Sequence, residues 1–380
     1  MRFAHRGVLI ESARPSSIPK RAKRDTRETW PDWPITPSIA KTSFQMANTV
    51  RVPRDQPSAG SSRSPSGNIP LMPVTLVIVG IVLLGLGASW LVDGASRLAL
   101  RFGISPMVVG LTVVGFGTSM PEFMVSVLAA GRGKGALSVG NAVGSNIMNL
   151  LLVLGVAAVI REIVIVGRQE ELNRNMLFGL LPALALMVGA WNGMISRTLA
   201  IVLLALFFVF LGVTLAKARQ DGTTRRDNGG PWLGHAAKAI AGMVGLALGA
   251  ESLVRGGTVI AHDFGISEAV IGLTLMAFGT SLPELAASVA AALKGESEMS
   301  VGNVLGSNVF NLGLVLGSAF LIRPSEVPVS IIRQDIPLLA LATLVLGLGV
   351  MRNGKISRIE GVGLLAAVTA YLTFVVMRGA

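Results

Sequence analysis

From Val74 onward the chain alternates between long apolar runs and short polar connectors. Runs able to cross about 30 Å of hydrocarbon lie near 73–96, 104–130, 137–160, 174–192, 198–217, 233–256, 266–293, 299–322, 335–351 and 357–377. They predict an all-α membrane protein with ten spanning helices, five in each half. An odd number of crossings per half makes the second half enter the membrane from the opposite side. Any duplication between the halves is then an inverted repeat about an axis in the membrane plane.

Such a duplication is present. Residues 102–155 and 264–317 align without a gap at an offset of 162, agreeing at about 32 of 54 positions. Both copies are strongly apolar, yet each carries a carboxylate in its interior. These are Glu122, in Gly117-Thr118-Ser119-Met120-Pro121-Glu122, and Glu284, in Gly279-Thr280-Ser281-Leu282-Pro283-Glu284. A second polar cluster follows in each copy, Gly140-Asn141-Ala142-Val143-Gly144-Ser145-Asn146 and Gly302-Asn303-Val304-Leu305-Gly306-Ser307-Asn308. An ionisable residue at membrane depth is costly and marks an ion path.

Locally, Ser119 three residues before Glu122 is a capping-box pattern, and Pro121 suits the first turn of a helix. A helix is therefore expected to start near Ser119, inside an apolar span. The span must be broken, and Gly115-Phe116-Gly117 is the expected break, with Ala277-Phe278-Gly279 as its counterpart. Backbone groups freed at that depth need protein or a polar cavity to satisfy them. Thr118 and Glu122, Ser145 and Asn149, and Ser307 and Asn311 are each four apart, so each pair shares a helix face. Together these positions offer carboxylate, hydroxyl, amide and carbonyl oxygens, a donor set that suits hard cations such as Ca2+ and Na+. Gly140 with Gly144, and Gly302 with Gly306, read as close-packing pairs. Asp93 with Arg97, and Glu251 with Arg255, read as i,i+4 ion pairs near helix ends. Gly131-Arg132-Gly133-Lys134-Gly135 lacks the ending and the preceding strand of a phosphate loop.

Composition narrows the class. Hydrophobic residues make up 51% of the chain and charged residues 14%, and mean hydropathy is +0.65, too apolar for a soluble protein of this length. There is no cysteine, so thiolate chemistry and disulfides are excluded. The three histidines, His5, His235 and His262, fall in the tail or near segment ends, which gives a histidine metal site no support. The net charge of +12 is no nucleic-acid signal, because residues 1–71 supply about +7 of it. That stretch, rich in Pro, Ser and Arg, is expected to be a disordered basic extension. It has no secretory core, and the native start is expected at or near Met72. Roughly 13 Lys/Arg against 7 in the alternating loops favour an N-terminus outside and a short central loop, 218–231, inside. The repeats are expected at 72–217 and 232–380.

In these paired GTSxPE and GNxxGSN motifs the chain resembles the cation/Ca2+ exchanger superfamily, specifically its sodium/calcium exchanger branch and the bacterial calcium/sodium antiporters. The resemblance covers about residues 73 to 377. It implies two inverted five-helix halves with ion sites clustered at mid-membrane. It also implies a ligand set: Thr118, Ser119, Glu122, Ser145 and Asn149 from the first copy, and Thr280, Ser281, Glu284, Ser307 and Asn311 from the second. The carbonyls of Gly115 and Ala277 complete it. Some family members have an aspartate where this chain has Asn311, so the site here carries two formal negative charges. Two carboxylates balance one Ca2+, two Na+ or two H+, and a third Na+ would make the cycle electrogenic.

The implied activity is Ca2+ extrusion in exchange for Na+ by alternating access, in a bacterial inner (plasma) membrane. The apolar helices 73–96 and 233–256 would slide across a stationary core. Proton-coupled exchange is the alternative within the class, and a cation channel the alternative outside it. An enzyme finds no support: neither the Gly-x-Gly-Asp motif of a membrane aspartyl protease nor the Ser/His pair of a rhomboid is visible. No cofactor is implied. The partners are the transported ions and the lipid bilayer, with no nucleic acid and no obligate protein partner evident. N-terminal sequencing of the mature protein is expected to find a start at or near Met72; peptides from residues 1–71 in quantity would exclude that start.

Overall fold

The computed structural model describes residues 71–165, 169–218, 231–264 and 277–379. The expectations for residues 1–70, for the central connector over 219–230 and for the opening of the second broken helix over 265–276 lie outside them. Helix α1 is Leu71–Phe102, α2 is Pro106–Thr118, α3 is Met120–Gly131 and α4 is Gly135–Ile160. After strand β1 (Ile163–Val164) come α5 (Gln169–Gly189), β2 (Met194–Ile195) and α6 (Arg197–Ala218). The second half runs α7 (Trp232–Asp263), α8 (Ala277–Thr280), α9 (Leu282–Lys294), α10 (Ser297–Ile322), β3 (Ser325–Glu326), α11 (Ile336–Asn353), β4 (Lys355–Ile356) and α12 (Arg358–Gly379). Among the described residues eight helices are long and apolar enough to span, and the bent α2–α3 pair makes a ninth.

The first helix of each half is 32 residues long, about 48 Å at 1.5 Å per residue, more than a bilayer core requires. These two helices are joined by glycine. On α1, Gly80, Gly87 and Gly94 recur every seventh residue, and on α7 so do Gly242, Gly249 and Gly256. Gly80 lies against Leu253 and Gly94 against Ala239, so the two helices run antiparallel. A Cβ placed on Gly242 would stand 2.4 Å from the backbone nitrogen of Leu91, and one on Gly87 2.7 Å from that of Leu246. Only glycine lets two backbones approach this closely. The seven-residue spacing keeps the bare stripe on one face along the whole contact.

The core beside this pair is built on the same device. Gly302 and Gly306 of α10 press on the α2 backbone, a Cβ on either coming within 2.4 Å of a carbonyl oxygen of Met107 or Leu111. That is the close packing expected of the second GxxxG pair. For Gly140 and Gly144 the equivalent partner segment, 265–276, lies outside the described residues. Small apolar and branched side chains from α4, α6 and α10 fill the rest of the interior, with Leu150, Leu154, Phe210, Leu316 and Phe320 fully buried.

Two features were not expected from the sequence. Two-residue antiparallel ladders clip the halves together, β1 to β4 through Ile163 and Ile356, and β2 to β3 through Ile195 and Ser325. And Asp93 does not pair with Arg97 along its helix. It accepts from Lys294 at the end of α9 at 2.5 Å and from Lys238 on α7 at 3.0 Å, because two lysines on neighbouring helices reach the carboxylate across the interface. Glu251 and Arg255 do pair, at 2.5 Å and more than half exposed, and so contribute little to stability.

The seam predicts a contrast. Gly242→Val should lower the stability of the purified protein by about 1–3 kcal/mol through overpacking, read as a lower unfolding temperature in detergent. Gly85→Ala, with nothing within 4 Å, should leave it unchanged. Equal stability of both variants would remove the seam.

Candidate functional site

The break between α2 and α3 positions the first carboxylate. The chain stays helical through Gly115–Thr118, with a π turn over Gly110–Val114, and bends by 50° at Ser119 alone. Gly115-Phe116-Gly117 is therefore not the break. Pro121 has no N–H for the Gly117 carbonyl four residues back, and its ring crowds that carbonyl, so the bend falls between them. Ser281 repeats the conformation, φ −86° and ψ 2° against −85° and 4° at Ser119. The capping box is not formed either: neither Ser119 nor Ser281 caps its helix with its side chain. Both hydroxyls are left for other work.

Glu122 and Glu284 sit in the first turns of α3 and α9, where the half-helix dipole favours an anion, and both are fully buried. Ser145 Oγ donates to Glu122 Oε1 at 3.4 Å. Glu284 Oε1 instead accepts from the opposite copy, from Ser119 Oγ at 3.2 Å. The two halves thus meet at the acids. Thr118 and Ser307 hydroxyls lie 3.3 Å apart, and those of Ser145 and Thr280 3.4 Å apart. The Gly115 carbonyl accepts from the Ser119 N–H and from Ser307 Oγ, and Ala277 opens α8 as its counterpart.

What is left over is a set of oxygens. Glu122 Oε2, Glu284 Oε2, Asn149 Oδ1, Asn311 Oδ1 and Ser281 Oγ are buried with no hydrogen-bond partner. Unsatisfied buried polar atoms are few in a folded protein and call for an explanation such as an ion. Among the described residues no three of His, Cys, Asp and Glu gather. The arrangement can therefore hold a hard cation with two carboxylates and neutral oxygens, and a low count of charged ligands loosens the hold on Ca2+. Of the twelve positions taken from the sequence, hydrogen bonds join Gly115, Thr118, Ser119, Glu284 and Ser307 in one group and Glu122, Ser145 and Thr280 in another, while Asn149, Asn311 and Ser281 are buried with an oxygen left unpartnered. Ala277 is described by its backbone only.

Sequence reasoning did not single out the asparagines that hold these groups. Asn141 Nδ2 donates to Ser126 Oγ and to the Glu122 carbonyl, at 2.9 and 3.4 Å. Asn303 does the same to Ser288 and Glu284, at 2.9 and 3.3 Å. Each ties an acid-bearing half-helix to its neighbour. Asn146 and Asn308 bond across the two copies and to Asn311 and Asn149. All four were in view in the GN and SN pairs of the repeated motif; their polar side chains in an apolar span were the available signal.

Twin carboxylates carried into an oxygen-lined interior by half-helices of opposite direction define a membrane cation transporter of the inverted-repeat class. The chain belongs to the sodium/calcium exchanger family, whose model, described as sodium/calcium exchanger protein, matches residues 72–216 and 235–377. Among curated relatives it is 38% identical over 295 residues to the inner membrane protein YrbG of Escherichia coli, covering 73% of this chain and 88% of that one. It is 37% identical to the putative antiporter CaxA of Alkalimonas amylolytica, covering 79% and 98%. It is 31% identical to the sodium/calcium exchanger MaX1 of Methanosarcina acetivorans, covering 78% and 96%. Among solved structures, the sodium-calcium exchanger NCX_Mj soaked with Na+ and Sr2+ superposes with a TM-score of 0.71 at 34% identity, covering 82% of this chain and 99% of that one.

The unpartnered Ser281 hydroxyl yields a prediction. A capping serine replaced by alanine costs about 1 kcal/mol, but Ser281→Ala should leave the unfolding temperature without ions unchanged. The rise in that temperature on adding Ca2+ should shrink. A variant destabilised without ions, and equally protected by Ca2+, would make Ser281 a structural residue.

Proposed function

We propose that this protein is a secondary antiporter that expels Ca2+ across a bacterial inner membrane in exchange for Na+, with the cations held between Glu122 and Glu284. The observation that carries the reading is the pair of fully buried acids from opposite halves, each with one oxygen unpartnered. The transported ion supplies the missing positive charge. Two carboxylates neutralise one Ca2+ or two Na+, so the ions compete for the same oxygens, and binding one kind displaces the other.

The division into helices joined by a glycine seam and a core supports alternating access. The unit that moves is the α1–α7 pair, and the unit that stays is α2–α4 with α8–α10. Met243 of α7 lies over Gly117 and Val254 over Gly279, so one helix of the pair covers both broken segments. Glycine at these two positions admits the covering side chains next to the site. At the end of the pair that the basic loops assign to the cytoplasm, Asp93 with Lys294 and Lys238 holds α1, α7 and α9 together. The repeats themselves are read as 72–217 and 232–380, joined by the short polar connector 218–231.

Counter-flux in proteoliposomes tests the reading. Labelled Ca2+ should accumulate when driven by an outward Na+ gradient, and Glu122→Gln or Glu284→Gln should abolish accumulation while the protein still folds. Accumulation driven by a pH gradient and indifferent to Na+ would replace Na+ by H+ as the counter-ion. Normal flux in either variant would sink the site.

A further inference from the structure

Four asparagines bond to one another across the two copies, and their hydrogen bonds have a direction. The two ends of an amide are nearly the same in shape, one an acceptor and the other a donor. Packing cannot tell them apart; only the hydrogen-bond partner can. At Asn149 and Asn311 the difference decides whether a cation meets an oxygen or an NH2 group.

The direction is fixed by two backbone carbonyls. The carbonyl of Asn308 can only accept, and it takes the Asn146 side-chain Nδ2 at 2.9 Å. Asn146 Oδ1 is thereby turned toward Asn311, which must answer with its own Nδ2, at 3.0 Å. Asn311 Oδ1 is then the free end, and it is buried and unpartnered. The mirror path runs through the other copy. The Asn146 carbonyl takes Asn308 Nδ2 at 3.4 Å, and Asn308 Oδ1 accepts Asn149 Nδ2 at 3.1 Å. Asn149 Oδ1 is again left free. All four side chains are at least nine-tenths buried, so water does not compete for these bonds.

We infer that Asn146 and Asn308 are positioning residues that set the polarity of the Asn311 and Asn149 amides across the two copies, so that each presents oxygen to the transported cation. The inference rests on the cation site proposed above and adds two residues to it. It also accounts for the neutral side chain at 311. An aspartate there would place an oxygen where Nδ2 now meets Asn146 Oδ1, and two acceptors at that distance repel. Asn146 would have to turn over and give up its bond to the Asn308 carbonyl. The lock and the neutral amide are matched, which holds the site at two negative charges.

Because a carboxylate has oxygen at both ends, it needs no polarity setting, and this supplies the test. Na+-driven Ca2+ uptake is measured in proteoliposomes for Asn146→Leu, Asn311→Asp and the double variant. Loss of an outer partner costs about 10- to 100-fold in metal affinity, so Asn146→Leu should raise the KM for Ca2+ at least tenfold with a smaller fall in maximal rate. Asn311→Asp alone should also impair uptake. The double variant should return the KM to within about threefold of wild type, since oxygen is presented whichever way residue 311 turns. A wild-type KM in Asn146→Leu, or a double variant no better than Asn146→Leu, would overturn the inference. If Asn146→Leu does not fold, Asn308→Leu with Asn149→Asp is judged by the same criterion. Wild-type flux and its loss in Glu284→Gln check the site independently: if either is missing, the cation site has failed, not the polarity lock alone.

Discussion

Two carboxylates buried at the meeting of two membrane-embedded half-helices, with no ion pair reaching them among the described residues, are the constraint on which the rest of this structure depends. A charge left unpaired in such surroundings is costly by many kcal/mol. Hydroxyl donors and half-helix dipoles offset part of that cost, but they bring no positive charge. The protein is therefore incomplete without a cation and cannot easily return empty across the membrane. Obligatory exchange follows: the site that gives up Ca2+ must take up something else before it turns.

The fold answers this constraint by holding two units together in different ways. The core helices are fixed to one another by glycine contacts, by asparagines that bond across the copies, and by the two short ladders between opposite connectors. The α1–α7 pair has its own glycine seam, which holds it together as one unit. Its link to α9 is different in kind, a carboxylate between two lysines about a third exposed. Partly exposed ion pairs are weak and exchange readily with water. A seam of backbone contacts is suited to a rigid body, and an ion pair to a latch.

Much of the fold was legible because membrane helices announce themselves by length and the duplication by identity. The acids, the hydroxyls and the proline breaks were equally visible, since polar residues in an apolar span need a reason. The rest was hidden for physical causes. The heptad glycines of α1 and α7 lie among 45 glycines in the chain, and only the structure shows which of them face a backbone. The position of the bend depends on the carbonyl that Pro121 leaves unbonded, not on the flexible Gly115-Phe116-Gly117 that drew attention. The capping box failed at both serines because each keeps φ near −85° and ψ of 2–4°, outside the extended conformation of an N-cap, and at Ser119 an acid from the other copy takes the hydroxyl. Asp93 turns from Arg97 because Lys238 and Lys294, distant in sequence, stand beside it.

That competition for Ser119 also exposes an asymmetry the sequence conceals. The motifs of the two copies are nearly identical, and a symmetric structure would treat them alike. Here the Ser119 hydroxyl crosses over to Glu284, while the hydroxyl of its counterpart Ser281 has no partner. Equivalent residues in inequivalent bonds mean that the pseudo-twofold is broken by conformation and not by chemistry. The same donors and acceptors permit the exchanged pattern, with Ser281 crossing to Glu122. Inverted repeats supply two such arrangements related by symmetry, one open to each side of the membrane. A transporter needs two states of similar free energy around one site, and a duplicated motif whose halves can trade roles provides them without further design of either.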